Sequence, residues 1–221
     1  MKYTDIRTLV LSELGTNCYI VPVGEGGAVV VDPAADGKKI YETLADSGLA
    51  VKKILLTHGH FDHTAGTAEL KKLAREKDGF DPPVFLHEAD RELSADPVKS
   101  LSFFCPRTPF TACEPTDIVT DGTVITEGPL TFTVLHTPGH TAGSVCYLCE
   151  DEDGRRVMFA GDTIFKDSIG RSDTYSGDPS VQLDSLEKLK ALTDDYIIFP
   201  GHGESTTLET EKRYNPFLSD F

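Results

Sequence analysis

The sequence predicts an α/β sandwich with helices outside the sheets, and two observations lead to that fold class. Short runs rich in Val, Ile, Phe and Thr, a composition typical of strands, recur along the 221-residue chain. Between these runs lie segments whose apolar residues repeat with the period of a helix. Because strand pairs open the chain and helices then alternate with strands, the helices are expected to cover the outer faces of the sheets.

Nine runs have the composition and length of strands. In chain order they cover residues 6–11, 17–23, 28–31, 53–56, 84–86, 130–135, 144–148, 157–160 and 196–199.

Three segments have helical periodicity, and in each of them the apolar residues share one face. These are Ile40, Tyr41 and Leu44 in residues 38–45, Leu70, Leu73 and Ala74 in residues 68–77, and Leu183, Leu186, Leu189 and Leu192 in residues 181–192. The third segment follows Asp178-Pro179-Ser180, a helix start signal. The charged run 204–213 is expected to form a solvated helix face.

The length of the chain suits one domain, and no linker rich in Gly, Ser or Pro divides it. Residues 1–221 are therefore expected to form a single domain. The charge balance, 36 acidic against 21 basic residues and a net charge of −15, argues against a nucleic-acid partner or an anionic membrane. The five scattered cysteines and the lack of an apolar leader segment favour a reducing, cytoplasmic location.

The strongest chemical signal is the heptapeptide Thr57-His58-Gly59-His60-Phe61-Asp62-His63. It places four potential ligands, in the pattern H-x-H-x-D-H, within six positions. Imidazole and carboxylate ligands together suit zinc, iron or manganese better than calcium or magnesium. His58 and His60 can point to one side only where the chain bends, and Gly59 permits that bend.

Four further candidates each follow a predicted strand, with Gly or Pro beside them: Asp32, His140, Asp162 and His202. Because strand ends converge at one edge of such a fold, these side chains are expected to meet the H-x-H-x-D-H motif there. Asp32 is predicted to orient a histidine rather than to bind the metal. The tripeptide Pro-Gly-His occurs twice, at residues 138–140 and 200–202.

This set of residues resembles the ligand pattern of the metallo-β-lactamase superfamily, from residue 29 to His202. The resemblance implies a four-layer αββα sandwich with two divalent metal ions, zinc being expected and iron or manganese being the alternatives. It implies that His58, His60 and His140 hold one ion, that Asp62, His63 and His202 hold the other, and that Asp162 bridges them. Asp62 and Asp162 would then also be catalytic, with Asp62 orienting the metal-bound hydroxide.

Two segments resemble the glyoxalase II branch of that superfamily. They are Asp162-Thr163-Ile164-Phe165 with the following Ser168-Ile169-Gly170-Arg171-Ser172-Asp173, and Asn215-Pro216-Phe217-Leu218, which is similar to compact bacterial members. The resemblance implies a thioesterase that cleaves S-2-hydroxyacylglutathione through a metal-bound hydroxide. Longer members carry an additional C-terminal helical region for glutathione, which this sequence lacks after His202. The expected partner is a small thioester, and the expected assembly is a monomer or a homodimer.

Three other features have alternative interpretations. Arg171 is predicted to bind a substrate carboxylate, the alternative being an ion pair with Asp167 or Asp173. The proline-rich stretch 94–117 brings Phe103, Phe104 and Phe110, which are expected to form a wall or lid over the metals, a dimer contact or a satellite core. Cys146 and Cys149 form a C-x-x-C within a predicted strand, so their thiols should point to opposite faces.

Other functions on the same scaffold stay open. A mononuclear iron enzyme like the persulfide dioxygenases would use a similar set of ligands and leave the second metal position empty. A lactonase or another ester hydrolase would use both positions. A module that only binds a ligand would have a broken ligand set, which this sequence does not show.

Overall fold

The strands of the first sheet follow the chain in order. The computed structural model describes residue 2 and residues 5–219. This sheet has the order β1-β2-β3-β4-β5-β6, with β1–β3 antiparallel and β3–β6 parallel. The strands are β1 (Arg7–Leu11), β2 (Thr16–Gly24), β3 (Gly27–Val31), β4 (Ala50–Leu55), β5 (Val84–His87) and β6 (Asp117–Val119).

The second sheet comes from the C-terminal half and has the order β14-β13-β10-β9-β8-β7. Only its β10–β13 pair is parallel. The strands are β7 (Val124–Glu127), β8 (Leu130–His136), β9 (Val145–Glu150), β10 (Arg156–Gly161), β13 (Ile197–Pro200) and β14 (Thr206–Thr207). A small separate hairpin joins β11 (Ile164–Phe165) to β12 (Ser168–Ile169).

The helices cover the outer faces of the two sheets. They are α1 (Gly37–Asp46), α2 (Phe61–Thr64), α3 (Thr67–Asp78), α4 (Arg91–Ala95), α5 (Pro179–Ala191) and α6 (Leu208–Tyr214). One buried apolar cluster joins α1 and α3 to the first sheet, and another joins α5 and α6 to the second. A third cluster lies between the sheets. The layers therefore run helix, sheet, sheet, helix, which confirms the predicted αββα sandwich.

Strand β9 shows how the alternation of side chains divides these clusters. Tyr147 and Cys149 face the cluster between the sheets, while Cys146 faces the helix-covered cluster on the other side. The prediction that the two thiols point to opposite faces is thus confirmed. All five cysteines are buried free thiols.

Each predicted strand and helix is present in the structure, although its first or last residue differs from the predicted one by up to a few positions. Helix α5 begins as its start signal indicates, because the Asp178 carboxylate accepts hydrogen bonds from the amides of Ser180 and Val181. Strands β6 and β7 were not predicted, since they are only three and four residues long and mostly exposed. No helix in the described part of the chain has the length and apolarity needed to span a bilayer.

Two details of the helix predictions are wrong. Leu183, placed on the apolar face of α5, is 56% exposed. Glu211, placed in a solvated charge run, is fully buried in α6, where it accepts hydrogen bonds from the Thr206 hydroxyl and the Asp167 amide. The reason is that α6 packs against β14 and against the turn of the β11–β12 hairpin, and neither contact can be read from the helix itself.

Candidate metal centre

Three imidazoles converge at the edge of the sandwich where β4 and β8 end. His58 and His60 follow β4, and His140 follows β8. The His60 Nδ1 atom lies 2.9 Å from His140 Nε2, which lies 3.2 Å from His58 Nε2. All three side chains are buried. Their spacing makes this trio one of the groups that could hold a metal ion.

A second group lies beside the first and consists of Asp62, His63 and His202. The Asp62 Oδ2 atom is 3.6 Å from His63 Nε2 and 3.3 Å from His202 Nε2. Asp62 and His63 belong to α2, whereas His202 follows β13. This group therefore combines two residues that follow β4 of the first sheet with one residue that follows β13 of the second sheet.

Asp162 lies between the two groups, directly after β10. Its Oδ2 atom is 3.5 Å from His140 Nε2 and 3.5 Å from His202 Nε2, while its Oδ1 atom is 3.4 Å from His63 Nε2. One carboxylate thus faces imidazoles of both groups. The structure brings together all seven residues predicted as metal ligands. Two of the three groups among the described residues whose spacing could hold a metal ion match the sets that the resemblance implies, and the third combines His58, His63 and Asp162.

The chemistry of these donors fits metal ions. The buried atoms His63 Nε2 and Asp162 Oδ1 have no hydrogen-bond partner among the described residues, which is costly unless a ligand satisfies them. Burial and the neighbouring His140 lower the pKa of His60 to about 3, which keeps it in the neutral form that binds metals. Burial by itself would raise the pKa of Asp162, but His63, His140 and His202 bring it down to about 2. The carboxylates Asp62 and Asp162 raise the pKa of His63 against the effect of its burial, so the electrostatic field here favours a cation.

Hydrogen bonds on the far side of the rings turn the donor atoms toward the site. His63 Nδ1 lies 2.9 Å from Asp32 Oδ2, and the Thr57 hydroxyl donates to the same carboxylate. Because the single O–H of Thr57 is donated to Asp32, its hydroxyl oxygen accepts the hydrogen bond from His58 Nδ1. His140 Nδ1 donates to the Arg171 carbonyl at 2.6 Å. The Nε2 atoms of His58, His63 and His140 are left with lone pairs for a metal. Asp32 contacts a histidine, as the sequence suggested.

Two residues of the site were not found from the sequence. The Thr16 hydroxyl donates to Asp62 Oδ2 at 2.6 Å. Buried Asp90 accepts hydrogen bonds from the Gly59 amide, the Gly143 amide and the Thr141 hydroxyl, at 2.8, 2.8 and 2.6 Å. Burial raises the pKa of Asp90, although these three donors stabilise the carboxylate. Asp90 comes three residues after β5, so the strand-end argument used for Asp32 and Asp162 would have reached it. Thr16 gave no such signal.

The two Pro-Gly-His turns need their glycines for steric reasons. A Cβ at Gly139, whose φ is +138°, would lie 2.3 Å from the Gln182 Cα of α5. A Cβ at Gly201 would lie 2.1 Å from Asp162 Oδ1. Each turn therefore brings its histidine close to packed neighbours that leave no room for a side chain.

A cavity of about 310 Å³ opens at the ligands. Besides five of the candidate metal ligands it is lined by Leu14, Leu101, Phe104, Phe165 and Arg171. The Arg171 guanidinium makes a two-pronged ion pair with Asp173, at 2.7 and 3.0 Å. The alternative pairing considered for Arg171 is therefore present, and its role toward a substrate stays a prediction.

The three phenylalanines of the 94–117 stretch occupy different environments. Phe104 lines the cavity, as a wall over the site would. Phe110 packs against Phe61, with ring centroids 5.3 Å apart, so it contacts α2, the helix that carries Asp62 and His63. Phe103 is 59% exposed and contacts Phe104. Only one of the three faces the predicted metals.

Comparison with known proteins agrees with this geometry. The family model described as the metallo-beta-lactamase superfamily matches residues 11–202. The "Probable metallo-hydrolase YqgX" of Bacillus subtilis is 34% identical, with 97% of this chain and 98% of that protein covered. The "Hydroxyacylglutathione hydrolase GloC" of Haemophilus influenzae is 30% identical, with the same coverage.

Two solved structures have the same fold at 34% identity. The BLEG-1 B3 metallo-beta-lactamase superposes with a TM-score of 0.85, covering 97% of this chain and all of that one. The protein TTHA1623, in a di-iron-bound form, superposes with a TM-score of 0.78, covering 96% of this chain and all of that one. Sites on this fold thus include one that holds two iron ions.

Proposed function

The chain belongs to the metallo-β-lactamase superfamily and is a metallo-hydrolase of that superfamily; from this premise we propose that it uses two metal ions to hydrolyse small thioesters of the S-2-hydroxyacylglutathione type. The observation that carries the proposal is Asp162, whose carboxylate faces both ligand groups. A carboxylate that faces two groups of three donors each would let the site hold two metal ions close together, as two-metal hydrolytic centres do. The name of the Haemophilus influenzae relative supports the thioester as substrate.

The residues of the chain have distinct parts in this reaction. When bound, the metal ions lower the pKa of water and polarise the scissile carbonyl. The carboxylates Asp62 and Asp162 would balance part of the positive charge of the metal ions, and the imidazoles would bind them in the neutral form. The hydrogen bond from Thr16 fixes the Asp62 carboxylate. We propose that Asp62, fixed in this way, orients the attacking water toward the carbonyl carbon, and that Arg171 binds a carboxylate of the substrate once it separates from Asp173.

Metal analysis combined with a substrate panel tests the proposal. We expect two metal ions per chain, hydrolysis of S-lactoylglutathione and related thioesters, and loss of both in Asp162→Asn. The exposed Asp184→Asn serves as the control and should keep both. One iron per chain with oxygen uptake on a persulfide would contradict the proposal in favour of a dioxygenase. Turnover of lactones but of no thioester would contradict it in favour of an ester hydrolase.

We also propose that the partner is a small molecule and that the reaction takes place in the cytoplasm. The net charge of −15 supports a small-molecule partner rather than a nucleic acid or a membrane. We place the reaction in the cytoplasm, which the five free thiols support.

A further inference from the structure

Four apolar residues, Leu14, Leu101, Phe104 and Phe165, line the cavity together with five of the candidate metal ligands. We call these four residues the apolar wall. Leu14 and Phe104 are each 46% exposed to solvent. Apolar side chains that gather at the mouth of a polar site, instead of being buried, indicate the binding of an apolar group.

The backbone at Leu101 is held in an unfavourable conformation. Its φ is +62° and its ψ is +29°, in the left-handed region that leucine rarely adopts. Glycine would fit this position without strain, yet the chain has a leucine that lines the cavity. Backbone strain of this kind concentrates where a side chain is needed for binding.

The apolar wall is also fixed in place before any ligand arrives. The Ser100 carbonyl, next to Leu101, accepts a hydrogen bond from the Phe61 amide at the start of α2. The Arg107 amide donates to the Glu13 carboxylate, at 2.7 Å, which ties the segment of Phe104 to the turn that carries Leu14. A wall held in this way can bind an apolar group without losing the conformational entropy of a loop that must first be ordered.

Free positive charge is scarce in the same cavity. Arg171 is the only Lys or Arg among the described residues that line it, and its guanidinium is engaged by Asp173. The part of the substrate that lies away from Arg171 would therefore meet no other Lys or Arg side chain among these lining residues. An apolar chain would instead be covered by the wall.

From these observations we propose that the cavity binds an aliphatic chain of about five to eight carbons, so that among thioesters of the proposed type the preferred substrates have acyl groups that carry such a chain. The cavity volume of about 310 Å³ is at the lower end of the range of small-molecule sites and can hold a chain of this length together with the reacting end. The inference deepens the proposed function and rests on it for the bond that is cleaved. The binding of the aliphatic chain can be measured without turnover.

Binding of unbranched fatty acids to the zinc-loaded protein tests the inference independently of catalysis. Calorimetry with the series from acetate to octanoate should show affinity rising about two- to fourfold per methylene up to hexanoate or longer. Leu101→Gly and Phe104→Ala should flatten that rise and lower octanoate affinity about tenfold. The exposed residues Leu183 and Phe217 provide matched controls, since Leu183→Ala and Phe217→Ala should behave like the wild type.

Thermal unfolding separates a binding role of Leu101 from a structural one. Because glycine adopts a positive φ freely, Leu101→Gly should keep or raise the Tm while it loses affinity for octanoate. A lowered Tm with an unchanged chain-length dependence would overturn the inference, as would equal affinity for acetate and octanoate in the wild type.

Turnover distinguishes this inference from the proposed function. Thioesters of one neutral thiol with acyl chains of two to eight carbons should show the same rise in kcat/KM. Hydrolysis without dependence on chain length would overturn the inference and leave the proposed function standing. A dependence of fatty-acid affinity on chain length, without hydrolysis of any thioester, would retain the aliphatic pocket and overturn the proposed function.

Discussion

Asp90 shows how much of the site depends on a single side chain outside the ligand set. It accepts from the backbone at Gly59, between two metal-ligating histidines, and from Gly143 and Thr141, which follow His140. Through these bonds one carboxylate fixes two ligand-bearing loops from different sheets relative to each other. We assign it as a positioning residue for His58, His60 and His140.

Replacing Asp90 should weaken metal binding more than it weakens the fold. In Asp90→Asn the amide NH₂ faces backbone donors, so at least one buried N–H loses its partner at a cost of about 1–3 kcal/mol. We expect metal affinity to fall about 10- to 100-fold, measured by competition with a chelating dye. Asp184→Asn should leave the affinity unchanged. If the metal-free Tm fell while metal affinity stayed the same, Asp90 would be a purely structural residue.

At the scale of elements, the site is made by strand ends and the turns that follow them. Strands β4, β8, β10 and β13 each end at the same edge of the sandwich and each deliver ligands there. The turn after β8 is further held by α5, since the Asp178 amide at the start of that helix donates to the Gly139 carbonyl. A histidine on such a turn is placed by the packing of a helix as well as by its own strand.

Enlarging that turn should displace His140. In Gly139→Ala the new Cβ would overlap the α5 backbone at Gln182, and we expect a loss of ~1–3 kcal/mol in unfolding free energy together with weaker metal binding. Urea denaturation and metal titration measure the two effects. Gly122→Ala provides a control, because its φ is also positive but nothing lies within 4 Å of its Cβ. It should lose only ~1–2 kcal/mol and keep its metal affinity. Equal metal affinity in both variants would contradict the prediction.

For the whole molecule, the candidate metal centre lies where the two halves of the sandwich meet. His58, His60, Asp62 and His63 follow the first sheet, whereas His140, Asp162 and His202 follow the second. Metal ions held by this set would bind both sheets at one edge. The unfolded chain cannot assemble such a site, so metal binding should contribute directly to stability.

Removal of metal should therefore lower the thermal stability of the entire fold. At a thousandfold excess of metal over its Kd, binding contributes about 4 kcal/mol. In a chain of this size that corresponds to a Tm shift of about 10 °C. Differential scanning calorimetry with and without a chelator measures the shift, and added zinc should reverse it. Asp162→Asn should show a much smaller response. A Tm that does not respond to chelation would contradict a centre shared by the sheets.

The candidate ligands could be predicted from the sequence because their signals are local. The H-x-H-x-D-H motif lies in seven consecutive residues, and Asp162 and His202 each follow a run of strand-forming residues directly. Periodicity likewise determined the sandwich class and the opposite faces of Cys146 and Cys149, because side-chain direction in a strand follows from position alone.

Contacts between distant segments were decided only by the tertiary structure. The hydrogen bond from Thr16 to Asp62 spans 46 residues and that from Thr141 to Asp90 spans 51. The burial of Glu211 depends in the same way on the packing of α6 against the turn of the β11–β12 hairpin. The sequence by itself thus determined which residues can bind metal and on which strands they lie. The packing of loops from both sheets decided how those residues are held and what lines the cavity beside them, because the energy of such contacts depends on three-dimensional neighbours that no local pattern records.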